Sequence, residues 1–263
     1  MESDRLITLK DQLIKEGYEE LDKPPAFIEF TGVHEADELL NDLNNYPHAY
    51  VIGCIMDRQI KAEKAWIIPY MLKQRLGTFE FADLARIAET NPEMIEHAML
   101  HPTALHWLSS SMYGFLIAAI ERVRSHYHDN AAEIWADNPS SAGLVRRFLE
   151  FRGVGPKIAS MAVNILVREF HIGVRDRYSV DISVDTQVKR VFTRMGFAPE
   201  DASIEYFIFR ARELHPEYPG IFDLALWNLG RKVCKPKQPL CSHCKYAKLC
   251  AYARNEEERT SQH

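Results

Sequence analysis

An all-α fold is what this 263-residue sequence predicts, and three features carry the prediction. Apolar residues recur three and four positions apart in nearly every segment, as in Leu6, Leu9 and Leu13, or Leu84, Ile87, Ala88, Met94, Ile95 and Ala98. That spacing places them along one face of a helix. Runs that could form strands are scarce. The main one, 178–184, is β-branched, but its flanking Asp and Arg residues suit a loop as well as a strand. Finally, Pro24-Pro25, Pro47, Asn91-Pro92, Pro102, Asn138-Pro139, Gly153, Gly155, Pro199 and Pro219 punctuate the chain, dividing it into about ten or more helices of ordinary length. With 46% hydrophobic residues, the chain can bury a core in one large or two small domains. Disorder, collagen and a disulfide-stapled miniprotein are excluded by the same composition.

Taken in order, the elements carry increasing chemical content. The N-terminal helix follows no basic start with an apolar core behind it, and the longest apolar stretches, 49–56 and 112–120, are too short to span a bilayer. A soluble, intracellular, cytoplasmic and nucleoid-associated protein is the expectation. Segment 47–59, PHAYVIGCIMDRQ, is an apolar helix opened by Pro47, with Cys54 as a small core residue beside Val51, Ile52 and Ile55. Segment 144–166, LVRRFLEFRGVGPKIASMAVNIL, reads as helix, turn and helix, the turn being Gly153-Val154-Gly155 after Arg152 and the second helix opening at Pro156. Such a hairpin directs backbone N–H groups outward, where they and the positive helix end can hold a DNA phosphate. Lys157 lies in that helix's first turn, where the dipole and burial disfavour its ammonium form and favour a nucleophilic amine. An ordinary helix end with a solvated lysine is the alternative. In 184–191, VDTQVKRV, Asp185 is placed to cap the helix beginning at Thr186 or Gln187.

Four of the five cysteines fall in 17 residues with the spacing C-x6-C-x2-C-x5-C: Cys234, Cys241, Cys244 and Cys250. Four thiolates so close in an intracellular chain form a metal site. Zinc sites of four cysteines usually present two C-x2-C knuckles, and only one is present here. An iron-sulfur cluster, with ligands at the corners of a larger object, tolerates the uneven spacing, so a [4Fe-4S] cluster is expected and zinc is the alternative. The net charge of −5 argues against a polyanionic partner only as an average. Stretch 229–254 holds seven basic residues, Lys235 and Lys237 among them, and no acid, so this +7 leaves −12 on the rest of the chain. Phosphate contacts are local, and a basic stretch of this kind can bind DNA on an acidic protein. Counter-charge for an anionic cluster is the other reading.

Hairpin FRGVGPKIA, segment VDTQVKRV and the cysteine tail stand in the order and rough spacing of endonuclease III and its relatives, the iron-sulfur members of the helix-hairpin-helix DNA glycosylase superfamily, which the chain resembles over most of its length. The resemblance implies two helical lobes with a DNA-binding groove between them. One is a six-helix barrel, 41–178, with the helix-hairpin-helix at about 144–168. The other combines 1–40 with 179–263 and carries the cluster loop 234–250. It further implies that Lys157 is the nucleophile, that Asp185 stabilises the cationic sugar and takes the lysine's proton, and that Gln59 inserts into the DNA stack. Arg152, Gly153, Val154, Gly155, Lys235 and Lys237 are the expected DNA contacts.

The implied partner is double-stranded DNA with a damaged base or abasic site, bound by a monomer. The implied activity is excision of a damaged base, most simply an oxidised pyrimidine, with strand cleavage through a lysine Schiff base. A monofunctional glycosylase for mismatched thymine or uracil or for alkylated bases is the runner-up, and a non-catalytic DNA-binding module the reading from another class. Departures from the family pattern mark where specificity differs. Asp57 stands in the pocket segment DRQIKA, Gln187 replaces a histidine, and 171–181 is an insertion near the groove. Met112 is expected in the core, and Asp181 is a weaker competitor for the aspartate's role.

Overall fold

The structure is a computed structural model that describes residues 2–260. Among the described residues fourteen α-helices form and no strand does. They are α1 (Glu2–Leu21), α2 (His34–Asn41), α3 (Pro47–Met56), α4 (Ala62–Trp66), α5 (Ile68–Leu76), α6 (Phe81–Thr90), α7 (Pro92–Leu100), α8 (Ser109–His126), α9 (Ser141–Leu149), α10 (Pro156–Arg168), α11 (Thr186–Met195), α12 (Ile204–Leu214), α13 (Asp223–Lys232) and α14 (Ala251–Thr260). Pro47, Pro92 and Pro156 each open a helix, at the position where a missing N–H costs nothing. The β-branched run 178–184 is irregular. Val180 and Ile182 are buried, but two of the run's backbone groups bond to neighbours that are not strands: Gly220 N–H donates to Val180 O at 2.6 Å, and Ser183 N–H donates to an Asp223 oxygen.

Helices α2, α4, α5, α8 and α10 pack on α3, α6 and α7 join them through α8, and α9 through α10. All ten residues of α3 are buried, which is why its sequence is an uninterrupted apolar run rather than an amphipathic one. Tyr50 of α3 donates its hydroxyl to Ala162 O on α10 at 2.7 Å, and Gly53 lets Trp66 lie against the α3 backbone, where a Cβ would stand 2.6 Å from the indole. Cys54 and Met112 are fully buried core residues. Helix α2 packs on α3 and α5 through Leu39 and Leu40. Residues 34–41 therefore sit with this first group, although a sequence boundary at 41 assigned them to the other.

In the second group α11 packs on α13 and α14, while α1 packs on α13 and on the turn Pro219–Phe222. Gly230 permits the close α11–α13 crossing, since a Cβ there would lie 2.7 Å from Gln187 Cβ. Asn164 of α10 joins the groups: its amide donates to Asp181 O at 2.8 Å, and its oxygen accepts from Tyr218 Oη at 3.0 Å. Asp181 itself is engaged in a bidentate pair with Arg212, at 2.7 and 2.8 Å. No described helix is long and apolar enough to cross a membrane.

Candidate functional site

Where the two groups of helices meet, a cavity of about 600 Å³ is lined by Asp57, Trp66, Lys157 and Met161 from one side and Asp185 and Trp227 from the other. An adjoining groove of about 1410 Å³ adds Gln59, Gly155 and Ile204. Lys157 is therefore brought together with Asp185 and Gln59 by the fold. The helix starts explain the placement. Asp185 caps α11, its Oδ1 accepting the N–H groups of Gln187 and Val188 at 2.8 Å each, and this bonding fixes the carboxylate at the cavity wall.

Lys157 lies in the first turn of α10, with Nζ 3.9 Å from Asp57 Oδ2 and its side chain 41% exposed. Asp57 follows the last residue of α3, in the segment where the sequence departs from the family pattern. Burial pushes its carboxyl above the ordinary range; Lys157 pulls it back, and Asp185 and Glu63 push it further up.

The hairpin before α10 divides into residues that hold it and residues that present it. Gly153 has φ +88, and a Cβ there would meet the Phe115 ring at 2.5 Å. Val154 is buried, and its N–H donates to Phe151 O, so its side chain and donor serve the fold rather than a ligand. Arg152 lies over the Phe115 ring, 5.8 Å from its centroid, as Arg58 does at 5.6 Å. Gly155 has φ −104 with nothing within 4 Å of a Cβ position, and its lack of a side chain leaves α10 without a side-chain cap. The N–H groups of Lys157 and Ile158 at the helix start consequently have no intrahelical acceptor. Gln59 is exposed with φ +57, a conformation that costs a non-glycine residue about 1 kcal/mol or more. The Trp107 indole holds it there by donating to Gln59 O at 3.2 Å.

The four tail cysteines are free thiols and line one small pocket between α11, α13 and α14. Among the described residues no three His, Cys, Asp or Glu side chains converge as ligands of a single metal ion. Burial raises the thiols of Cys241, Cys244 and Cys250. Helix α11 holds the loop in place. Arg190 Nε donates to Cys234 O at 2.9 Å, and Arg194 donates to the Lys235 and Pro236 carbonyls at 2.7 Å each while stacking on Tyr252. The acid-free stretch is less isolated in space than along the chain: Glu63 pairs with Arg231, and Glu16 with Lys245. Lys235 and Lys237 are exposed, outside the groove that holds Lys157.

No protein-family model matches the chain. It is 24% identical over 174 residues to endonuclease III of Sulfolobus acidocaldarius, covering 63% of this chain and 69% of that one. Over 84 residues it is 36% identical to mouse adenine DNA glycosylase, spanning 30% of this chain and only 16% of that protein's length. Among solved structures it superimposes on a thermostable thymine-DNA glycosylase with a TM-score of 0.62 at 17% identity, covering 96% and 98% of the two chains. On a trapped endonuclease III–DNA covalent intermediate the TM-score is 0.54 at 18% identity, over 88% of this chain and 99% of that one. The chain therefore shares its fold with these DNA glycosylases, and its sequence is similar to that of endonuclease III.

Within this endonuclease III-like fold, sequence reasoning located the groove residues but missed part of the cavity. Asp57 was visible as an added acid, yet nothing in the sequence identified it as the ion-pair partner of Lys157. Arg168, Ser183 and Asp223, all buried and all lining the cavity, were not singled out. A signal for Arg168 existed: Met161, Ile165 and Arg168 follow one helical face of α10, the face that meets the cavity.

Proposed function

We propose that the chain is a DNA base-excision enzyme that removes a damaged base, most simply an oxidised pyrimidine, and cleaves the resulting abasic site through Lys157. The observation that carries this reading is the meeting of Lys157, Asp57 and Asp185 around one cavity beside an open helix start. The sugar carbon of a stacked nucleotide is inaccessible, so the target is flipped into the cavity, and Gln59, held in its strained conformation at the groove, fills the gap in the stack. The first-turn N–H groups of α10 and the uncapped Gly155 hold a backbone phosphate. Asp57, the carboxylate 3.9 Å from Nζ, rather than Asp185 as the resemblance implied, receives the proton of Lys157, and the freed amine attacks C1′. The C1′–N bond breaks with its electron pair leaving on the base, which takes up a proton. Ring opening gives the Schiff base, loss of a C2′ proton follows, and the C3′–O3′ bond breaks with its pair on the departing phosphate. Asp185, anchored by two backbone N–H groups, stabilises the positive charge developing on the sugar.

Cys234, Cys241, Cys244 and Cys250 are proposed to hold a [4Fe-4S] cluster. Four free thiols line one pocket, and their uneven C-x6-C-x2-C-x5-C spacing, with a single C-x2-C knuckle, suits a cluster better than zinc. When bound, the cluster would supply iron–sulfur bonds to these four cysteines and so cross-link loop 234–250. Purified protein is then brown, and colourless protein with bound zinc would overturn this assignment.

One observation favours a second reading, monofunctional excision of a mismatched thymine or uracil: the Asp57 carboxylate beside Lys157 also suits a lysine kept as ammonium, and a thymine-DNA glycosylase shares the fold. A binding-only module is less well supported, since docking on DNA needs no buried acid beside a lysine. Borohydride reduction during reaction with abasic-site DNA separates the readings. A covalent adduct that disappears in Lys157→Ala is expected, and its absence from the unaltered protein would leave the monofunctional or binding-only reading.

A further inference from the structure

One wall of the cavity carries polar groups whose hydrogen-bonding capacity the fold uses only in part and the mechanism not at all. Arg168, in the last turn of α10, is only 7% exposed. Its Nε donates to Glu169 at 2.8 Å, but its buried Nη1 has no partner. Burial alone would lower the guanidinium; Tyr218, Glu169 and Asp223 around it keep it charged. Asp223, at the start of α13, accepts the Ser183 N–H on Oδ1 at 2.6 Å. Because a carboxylate offers about four acceptor positions, this leaves capacity for a further donor. The buried Ser183 hydroxyl lies near enough to Asp223 to influence it, yet makes no bond of proper geometry. A buried donor without a partner costs on the order of a lost hydrogen bond, and two such donors, Arg168 Nη1 and the Ser183 hydroxyl, beside the spare acceptor capacity of Asp223 in the cavity of Lys157 describe a site waiting for a ligand edge. Its side walls are flat and apolar: Phe30 stacked on Trp66 at 4.5 Å, Met161, and Trp227.

We propose that Arg168, Ser183 and Asp223 read the edge of the extruded base and select a lactam edge, a ring carbonyl beside a ring N–H, over an amidine edge, an amino group beside an unprotonated ring nitrogen. The inference rests on the reading of this cavity as the seat of a flipped base. A guanidinium N–H donates to the carbonyl oxygen, and the carboxylate accepts the ring N–H. An amidine edge reverses both polarities, setting an amino group against Arg168 and a lone pair against Asp223. Uracil, thymine and their oxidation products present the lactam edge, whereas cytosine, adenine and theirs present the other.

The matched pair that isolates this edge is 5-hydroxyuracil against 5-hydroxycytosine in the same duplex. The unaltered protein is expected to excise the former about tenfold faster or more, in line with the discrimination of sites built to bond a polar edge. Arg168→Met is expected to bring the ratio within about twofold. If that variant does not fold, Ser183→Ala and Asp223→Asn carry the comparison, and the unaltered protein's ratio needs no variant. Equal rates on the two bases, or preference for 5-hydroxycytosine, would overturn the proposal while leaving the enzyme reading intact. Should no base be excised and no abasic-site adduct form, the enzyme reading fails. The edge reading is then still decided by binding of duplexes carrying uncleavable 2′-fluoro-deoxyuridine or 2′-fluoro-deoxycytidine: tighter binding of the uridine supports it, and equal binding overturns it.

Discussion

At the scale of single residues, the cavity wall near Lys157 is a set of carboxyls held in unequal environments. Asp57 is pushed up mainly by burial, and Asp223 more so, to about 6 against 3.8 for the ordinary side chain. The folded state therefore binds more protons than the unfolded chain between those two values. The contribution of Asp223 to stability is therefore fullest below about 3.8 and is lost as pH rises through about 6, by about 3 kcal/mol. The stability of Asp223→Asn relative to the unaltered protein should accordingly improve by that order from pH 4 to pH 7, as read from denaturant unfolding at each pH. A difference independent of pH would show that Asp223 is not perturbed. Lys157→Ala, which removes the partner of Asp57, should raise the Asp57 carboxyl further, because the lysine is what opposes burial there. Carboxyl titration followed by infrared or carbon NMR in the variant checks the direction.

Among the elements, the hairpin before α10 gives its two glycines different work. Gly153 combines a left-handed φ with contact against Phe115, so Gly153→Ala imposes backbone strain and a clash together, about 3 kcal/mol in sum. Its melting temperature should drop by several degrees. Gly155→Ala meets open space at an ordinary φ, so its melting temperature should stay unchanged while affinity for DNA falls as the methyl group enters the phosphate seat. Loss of stability in Gly155→Ala, or unchanged DNA affinity, would contradict that division. The sequence made this hairpin legible because Gly-Val-Gly followed by proline has a local meaning, but it could not say which glycine the fold needs and which faces outward. That distinction depends on Phe115, which arrives from α8. Helix α11 was legible for a similar reason, through Asp185 as its cap. Its second task, holding the cysteine loop with Arg190 and Arg194, became visible only once α11 and α13 were brought together at Gly230.

For the whole molecule, the all-helical fold followed from periodicity and punctuation, since those are local. What was not legible is whatever depends on distant segments meeting: the assignment of α2 to the group around α3, the Lys157–Asp57 pair, and the Arg168–Ser183–Asp223 wall drawn from three separate stretches. The charge distribution shows the same limit. A run without acids along the chain is in space partly neutralised by Glu16 and Glu63, leaving Lys235 and Lys237 among its exposed basic groups. Replacing both with alanine should weaken binding to all DNA sequences alike and reduce the slope of log affinity against log salt by up to about 2. An unchanged slope would make them counter-charge for the cysteine loop. The central claim, that Lys157 is the nucleophile, is tested most directly by reducing the protein on abasic-site DNA with borohydride and locating the adduct by mass spectrometry of the digested complex. A single modified peptide bearing the sugar on Lys157 is expected. No adduct, or an adduct on Lys232, the other lysine lining the cavity, would contradict it.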